Sequence, residues 1–201
     1  MSPRLAALLA ATLVFLAPAP SPAQQSKCTS KEFAAAGKEA SSEAKCYSKA
    51  VAKNDTSVLA GCLAAATGKF TTAYGKAVGS GDCLTSATAA TVEGEVDAFT
   101  SDLNTTLTGG SSGPSKCTSK ELSAAGGKAG GKAKCYSKAA AKNDTSGIAG
   151  CLSAVELKFG KGFDKATAAG DCINGTNVDI AESKVDSFIG TLKGSLAPAF
   201  P

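Results

Sequence analysis

The sequence predicts an all-α fold: two tandem, disulfide-stapled three-helix units, each a helical hairpin plus an amphipathic third helix. Two observations carry this expectation. The first is an internal repeat. Residues 26–107 align on 115–196 without a gap at an offset of 89, and 42 of the 82 positions are identical. The second is periodicity. Apolar residues recur at three- and four-residue spacing, and no segment alternates polar and apolar with β-branched enrichment. SKCTSKE opens both copies, CYSKA and AKNDTS recur in each, and TGGSSGPS (108–115) between them has the composition of a flexible linker. The expected organisation is a leader over 1–23, unit one over 24–107, the linker over 108–115, and unit two over 116–201 with a short proline-containing tail.

The leader comes first in the chain. Arg4 gives a positive start, Leu5 to Ala17 is an apolar run of 13 residues, and Ser21-Pro22-Ala23 offers small residues at the positions a signal peptidase reads. This predicts a secretory signal peptide cut after Ala23. The run is too short for a membrane span, and no later stretch approaches 18 apolar residues. The expected location is therefore extracellular or periplasmic.

Within each unit the helices follow from local signals. Thr29-Ser-Lys-Glu32 and Thr118-Ser-Lys-Glu121 have the form of a capping box and predict a first helix that stops near Asn54-Asp55. Asp55 or Ser57 can cap a second helix, in which Val58, Leu59, Cys62, Leu63, Ala66, Phe70, Ala73, Tyr74 and Ala77 share one face, and Gly79 to Gly81 ends it. The third helix carries the stripe Val92, Val96, Phe99, Leu103 and Leu107; its twin carries Val178, Ala181, Val185, Phe188, Leu192 and Leu196.

Export places the eight cysteines in an oxidising compartment, where an even count favours disulfides over metal thiolates. Four cysteines per unit allow three pairings, and the helical hairpin selects one. Around a turn centred on Asn54, Cys46 and Cys62 lie eight residues to either side, and Cys28 and Cys83 lie 26 and 29 away. The other pairings would have to span about 25 Å at 1.5 Å per residue, against a reach of about 7 Å between bridged Cα atoms. The prediction is Cys46–Cys62 nested inside Cys28–Cys83, and Cys135–Cys151 nested inside Cys117–Cys172.

Composition excludes several functions. Residues 24–201 carry 20 lysines, no arginine and 17 acids, a net charge of +3 with the signs interspersed, which is no nucleic-acid footprint. Histidine is absent, so no Ser-His or Cys-His pair can form. Gly126 and Gly131-Lys132 match GxxxxGK, but Ala133 stands where a P-loop needs Ser or Thr, and a helix, not a strand, precedes the motif. The small residues Ala124, Ala125, Gly126, Ala129 and Ala133 read instead as a helix face for close approach to a partner. Asp171, Asp179 and Glu182 fit positions 1, 9 and 12 of a calcium loop, and Asp82 and Glu93 repeat the outer spacing, but Ile173 and Leu84 occupy position 3. These acids are expected near the start of the third helix, where carboxylates favour the dipole. The pairs Glu93/Asp97 and Glu182/Asp186 read as a solvated face. Asn54-Asp-Thr56, Asn104-Thr-Thr106, Asn143-Asp-Thr145 and Asn174-Gly-Thr176 fit the glycosylation pattern. No catalytic, cofactor-binding or metal-ligating residue is assigned.

The plant non-specific lipid-transfer proteins share the helical, cysteine-rich, secreted character, but their Cys-Cys pair and Cys-x-Cys are missing here. The chain resembles Lys/Ala-rich tandem repeats of exported bacterial proteins in Lys45-Cys46, Cys62-Leu63, Lys69-Phe70 and Gly81-Asp82-Cys83 with their second-copy twins. That resemblance implies an exported context and assigns no site. The expected role is a non-enzymatic binding or structural module, without cofactor, facing an extracellular protein or surface. The alternative is a carrier of a small apolar ligand, with Phe70, Tyr74, Phe159 and Phe163 lining the space between helices.

Overall fold

The computed structural model describes residues 26–175 and 178–198. The leader over 1–23, the last tail residues and Thr176 of one glycosylation pattern lie outside the described residues. Among those described there are six helices and no strand: α1 (Lys27–Lys53), α2 (Leu59–Val78), α3 (Ala89–Thr108), α4 (Lys116–Lys142), α5 (Ile148–Thr167) and α6 (Val178–Leu196). None of them is long and apolar enough to cross a membrane.

The caps correct the sequence reading. Helix α1 starts one turn before Thr29: Ser26 Oγ accepts from Thr29 N–H at 2.9 Å, and Asp82 accepts from the N–H groups of Lys27 (2.6 Å) and Cys28 (2.9 Å). Helix α4 repeats this with Ser115 and Asp171. Three free donors of the first turn are thus satisfied without a capping box, and Glu32 and Glu121 are buried instead. The aspartates of the two GDC motifs therefore serve the starts of α1 and α4, not of α3 and α6. Their backbone N–H partners hold both carboxyls below the usual range. At the other ends, Asn54 and Asn143 take the left-handed conformation at φ 51° that closes α1 and α4. Helix α2 has no side-chain cap, because Asp55 turns to the N–H of Ser57 at 2.8 Å.

Helices α1 and α4 run antiparallel in close contact through their small-residue faces. Ser26 N–H donates to Ala140 O at 3.1 Å and Ser115 N–H to Val51 O at 3.3 Å, the same contact repeated at the 89-residue offset. A Cβ on Gly37 would come within 2.6 Å of Ala133 Cβ, and one on Gly126 would overlap Ala44 Cβ, so the approach requires glycine at both places. Phe33 stacks on Tyr136 beside this seam. Phe99 stacks on Phe188 with centroids 4.5 Å apart and joins α3 to α6.

The α3 and α6 stripes are buried, except that Val178, the first residue of α6, is exposed. Val58 is exposed too, because it precedes α2 and falls outside its periodicity. Four disulfides pin α1 to α2 and α4 to α5: Cys46–Cys62 and Cys135–Cys151 with Cα atoms 5.8 Å apart, Cys28–Cys83 and Cys117–Cys172 with Cα atoms 4.8 Å apart.

Candidate functional site

The two halves place different charges at the same two positions of their first helices. Lys128 and Lys132, four residues apart on α4, turn toward α5 and α6. Lys128 Nζ lies 2.5 Å from Glu156 and 2.6 Å from Glu182, and 4.6 Å from the centroid of the Phe159 ring. Lys132 Nζ pairs with Asp186 at 2.5 Å and with Glu156. Burial works against the charge of Lys132, but the hydrogen bonds to Asp186 and Glu156 prevail and raise its pKa. Burial likewise opposes ionisation of Glu156, and the two lysines more than reverse it. Each lysine of the group is therefore paired with carboxylates, which a buried charge requires.

Glu39 and Glu43 occupy the corresponding positions on α1, 89 residues earlier, and they are 2% and 1% exposed. They face Glu93 and Asp97 of α3, the equivalents of Glu182 and Asp186. Neither Glu39 oxygen has a hydrogen-bond partner, nor does Oε1 of Glu43. Thr100 Oγ1 donates to Glu43 Oε2 at 2.7 Å; its equivalent in the other half is Ile189, which packs in the core. Burial, reinforced by Glu43, Glu93 and Asp97, pushes the Glu39 carboxyl up to about 9. Burial also raises Glu43, against the Thr100 bond, to about 7. Glu93 is half-buried and Asp97 exposed, so the cluster opens to solvent at its α3 side.

A separate groove of about 740 Å³ lies between α1, α2 and α4. Its floor includes Ala34, Phe70 and Ala73, and five lysines surround it: Lys38, Lys45, Lys69, Lys134 and Lys138. All five are exposed. Gly127, Gly130 and Gly131 form its α4 wall. The glycine-lysine stretch that mimics a P-loop is thus continuous helix: Gly126 and Gly130 face α1, and Lys132 is committed to an ion pair.

Of the four aromatic residues named as a ligand lining, Phe70 reaches this groove and Phe159 a smaller cleft of about 320 Å³ beside α5. Tyr74 and Phe163 are buried in the core, and Tyr74 donates to Ala87 O at 2.9 Å. The pairs Glu93/Asp97 and Glu182/Asp186 turn out to face buried ionisable groups, not solvent alone. The sequence held a signal for this: between the copies, the first-helix charges reverse while the third-helix acids stay acidic.

Glu32 and Glu121 are buried against the outer disulfides, each within 4.8 Å of both sulfurs. Those sulfurs are bonded to each other and offer no thiolate for a metal. Glu156, Glu182 and Asp186 converge as closely, but two ammonium groups already pair with them. No protein-family model, curated protein or solved structure matches this chain.

Proposed function

We propose that this is an exported, non-enzymatic binding module made of two homologous three-helix units, and that it binds an acidic partner in the lysine-ringed groove between α1, α2 and α4. The observation that carries this is the convergence of five lysines from three helices on one concave, apolar-floored surface. Lysine ammoniums around a groove attract acidic segments and steer their approach, while Phe70 and Ala73 offer apolar contact. The test is fluorescence anisotropy with labelled poly-glutamate as the probe. Binding is expected to weaken with added salt and to fall at least tenfold in a Lys38→Glu/Lys69→Glu/Lys134→Glu variant. Equal binding by that variant contradicts the reading.

The second reading, a carrier of a small apolar ligand, is favoured by the apolar floor at Phe70. Native mass spectrometry of protein purified from its source separates the two. A lipid-sized mass that copurifies with the chain supports the carrier.

A further inference from the structure

We propose that the groove between α1, α2 and α4 binds a single-chain anionic amphiphile, its alkyl chain on the apolar floor and its head group among the lysines. This rests on the reading that the groove takes an acidic partner, and it names the class of that partner. A comparison of the two halves carries it. Of the eight residues that line the cleft beside α5, seven have their equivalents, 89 residues earlier, in the lining of the groove. The two are therefore twin sites, yet one measures about 320 Å³ and the other about 740 Å³. The exception is Val155, whose equivalent is Ala66. Both methyl groups of Val155 lie 3.0 Å from the place of an added Cβ on Gly131. The second half thus fills this space with a branched alkyl side chain of its own. With alanine at 66 the groove over Phe70 and Ala73 is wider, and its volume falls in the range of small-ligand sites.

The charges differ between the twins as well. In the smaller cleft Lys128 lies over the Phe159 ring and is paired with Glu156. Those two positions are Glu39 and Thr67 in the first half, and Lys38 stands where the second half has Gly127. Among the described residues, none of Lys38, Lys45, Lys69, Lys134 and Lys138 forms an ion pair. Glu39 is the single acid in the lining of the groove. It is buried, and burial keeps its proton on up to about pH 9, so it does not repel an anion.

Together these features select the ligand. The methylene stems of exposed lysines add apolar surface to a groove while their ammonium groups stay in water. An alkyl chain laid between such stems gains by leaving water. A carboxylate, phosphate or sulfate head gains from charge-assisted hydrogen bonds to the ammonium groups. A neutral lipid leaves the five charges unmatched, and a fully polar anion leaves the floor at Phe70 and Ala73 uncovered.

The test is titration calorimetry of the full chain with sodium dodecanoate and with dodecyl phosphate, each below its micellar concentration. Sodium acetate and dodecyltrimethylammonium chloride are the controls for head and chain alone. One site per chain is expected for the two anionic amphiphiles, with NMR shift changes centred on Lys38, Phe70 and Gly131; binding of either supports the proposal, and the tighter one assigns the head group. Ala66→Val, which installs the residue of the other half, should weaken binding at least tenfold. So should Lys38→Gln/Lys69→Gln/Lys134→Gln, whose changes are all exposed; an unchanged helical spectrum verifies both folds. Full affinity in both variants, or equal binding of either control, overturns the proposal. Dodecanoate should also displace labelled poly-glutamate. Poly-glutamate that binds while neither amphiphile does overturns the amphiphile and leaves the acidic-partner reading standing; failure of all three to bind overturns both.

Discussion

Glu43 and Lys132 stand at the same turn of equivalent helices, 89 residues apart, and each is directed at an aspartate of a third helix: Asp97 for Glu43, Asp186 for Lys132. One backbone arrangement therefore supports opposite electrostatic solutions. With lysine, the layer pairs its own charges. With glutamate, burial makes the carboxyls hold their protons. The backbone tolerates both because the charge layer lies beside, not within, the α1–α4 seam, where small residues set the helix separation.

The seam gives a first prediction. Gly126→Val should destabilise the protein by about 1–3 kcal/mol, the range for overpacking a close contact, because its Cβ would overlap Ala44. Gly127→Ala should stabilise by about 0.5–1 kcal/mol, because Gly127 is helical and nothing lies within 4 Å of its added Cβ. Urea denaturation of both variants with the disulfides intact tests the pair; equal effects of the two changes would contradict the close contact.

Glu121 gives a pH prediction. Burial raises its carboxyl from 4.5 to about 7. Between those values the folded state holds more protons than the unfolded state, so stability falls as pH rises from 4.5 to 7 and stays low above. The full contribution is up to about 3 kcal/mol at 1.36 kcal/mol per pKa unit. Glu121→Gln should remove this slope and raise stability at pH 8. Chemical denaturation at a series of pH values measures it, and an unchanged slope in the variant would sink the assignment. Asp82 and Asp171, held low by backbone N–H groups, act in the opposite sense: their contribution is present above the unfolded aspartate range and is lost as pH falls below it.

A third prediction concerns a hydrogen bond that one half has and the other lacks. Tyr74 donates to Ala87 O at 2.9 Å, and its equivalent is Phe163. Tyr74→Phe should leave the buried carbonyl unpaired and destabilise the protein by about 0.5–1.5 kcal/mol. Urea denaturation measures it, and a variant as stable as the parent would contradict the bond.

The disulfides give a fourth. Removing the inner bridge Cys46–Cys62, which closes a loop of 16 residues, should cost about 3 kcal/mol, and removing an outer bridge about 4 kcal/mol by the loop-entropy relation. Calorimetric melts of the paired Cys→Ser variants check the order.

Much of the fold was legible because it is written in local spacing. The third-helix stripe from Val92 to Leu107 and the Asn54 stop are properties of single segments. The α1–α4 seam was legible only in part: Gly126 and Ala129 announce a close partner, but the linker composition hid that the partner is the other half. The caps were misread because Asp82 reaches α1 from 55 residues away, a distance at which no local motif operates. The charge layer escaped for a related reason. Glu93 and Asp97 read as a surface pair on their own helix, and only the packing of α3 on α1 sets them against Glu39 and Glu43.

The most direct measurement of the central claim, that one half pairs its charge layer with ammonium groups and the other with protons, is chemical denaturation of the parent protein and of a Glu39→Lys/Glu43→Lys variant between pH 7 and pH 9. The parent should lose stability as pH rises across this range, because Glu39 holds its proton up to about 9 in the folded state and an unfolded glutamate does not. The variant, carrying its own ammonium groups as Lys128 and Lys132 do, should show no such loss. An equal loss in both proteins, or none in the parent, contradicts the account.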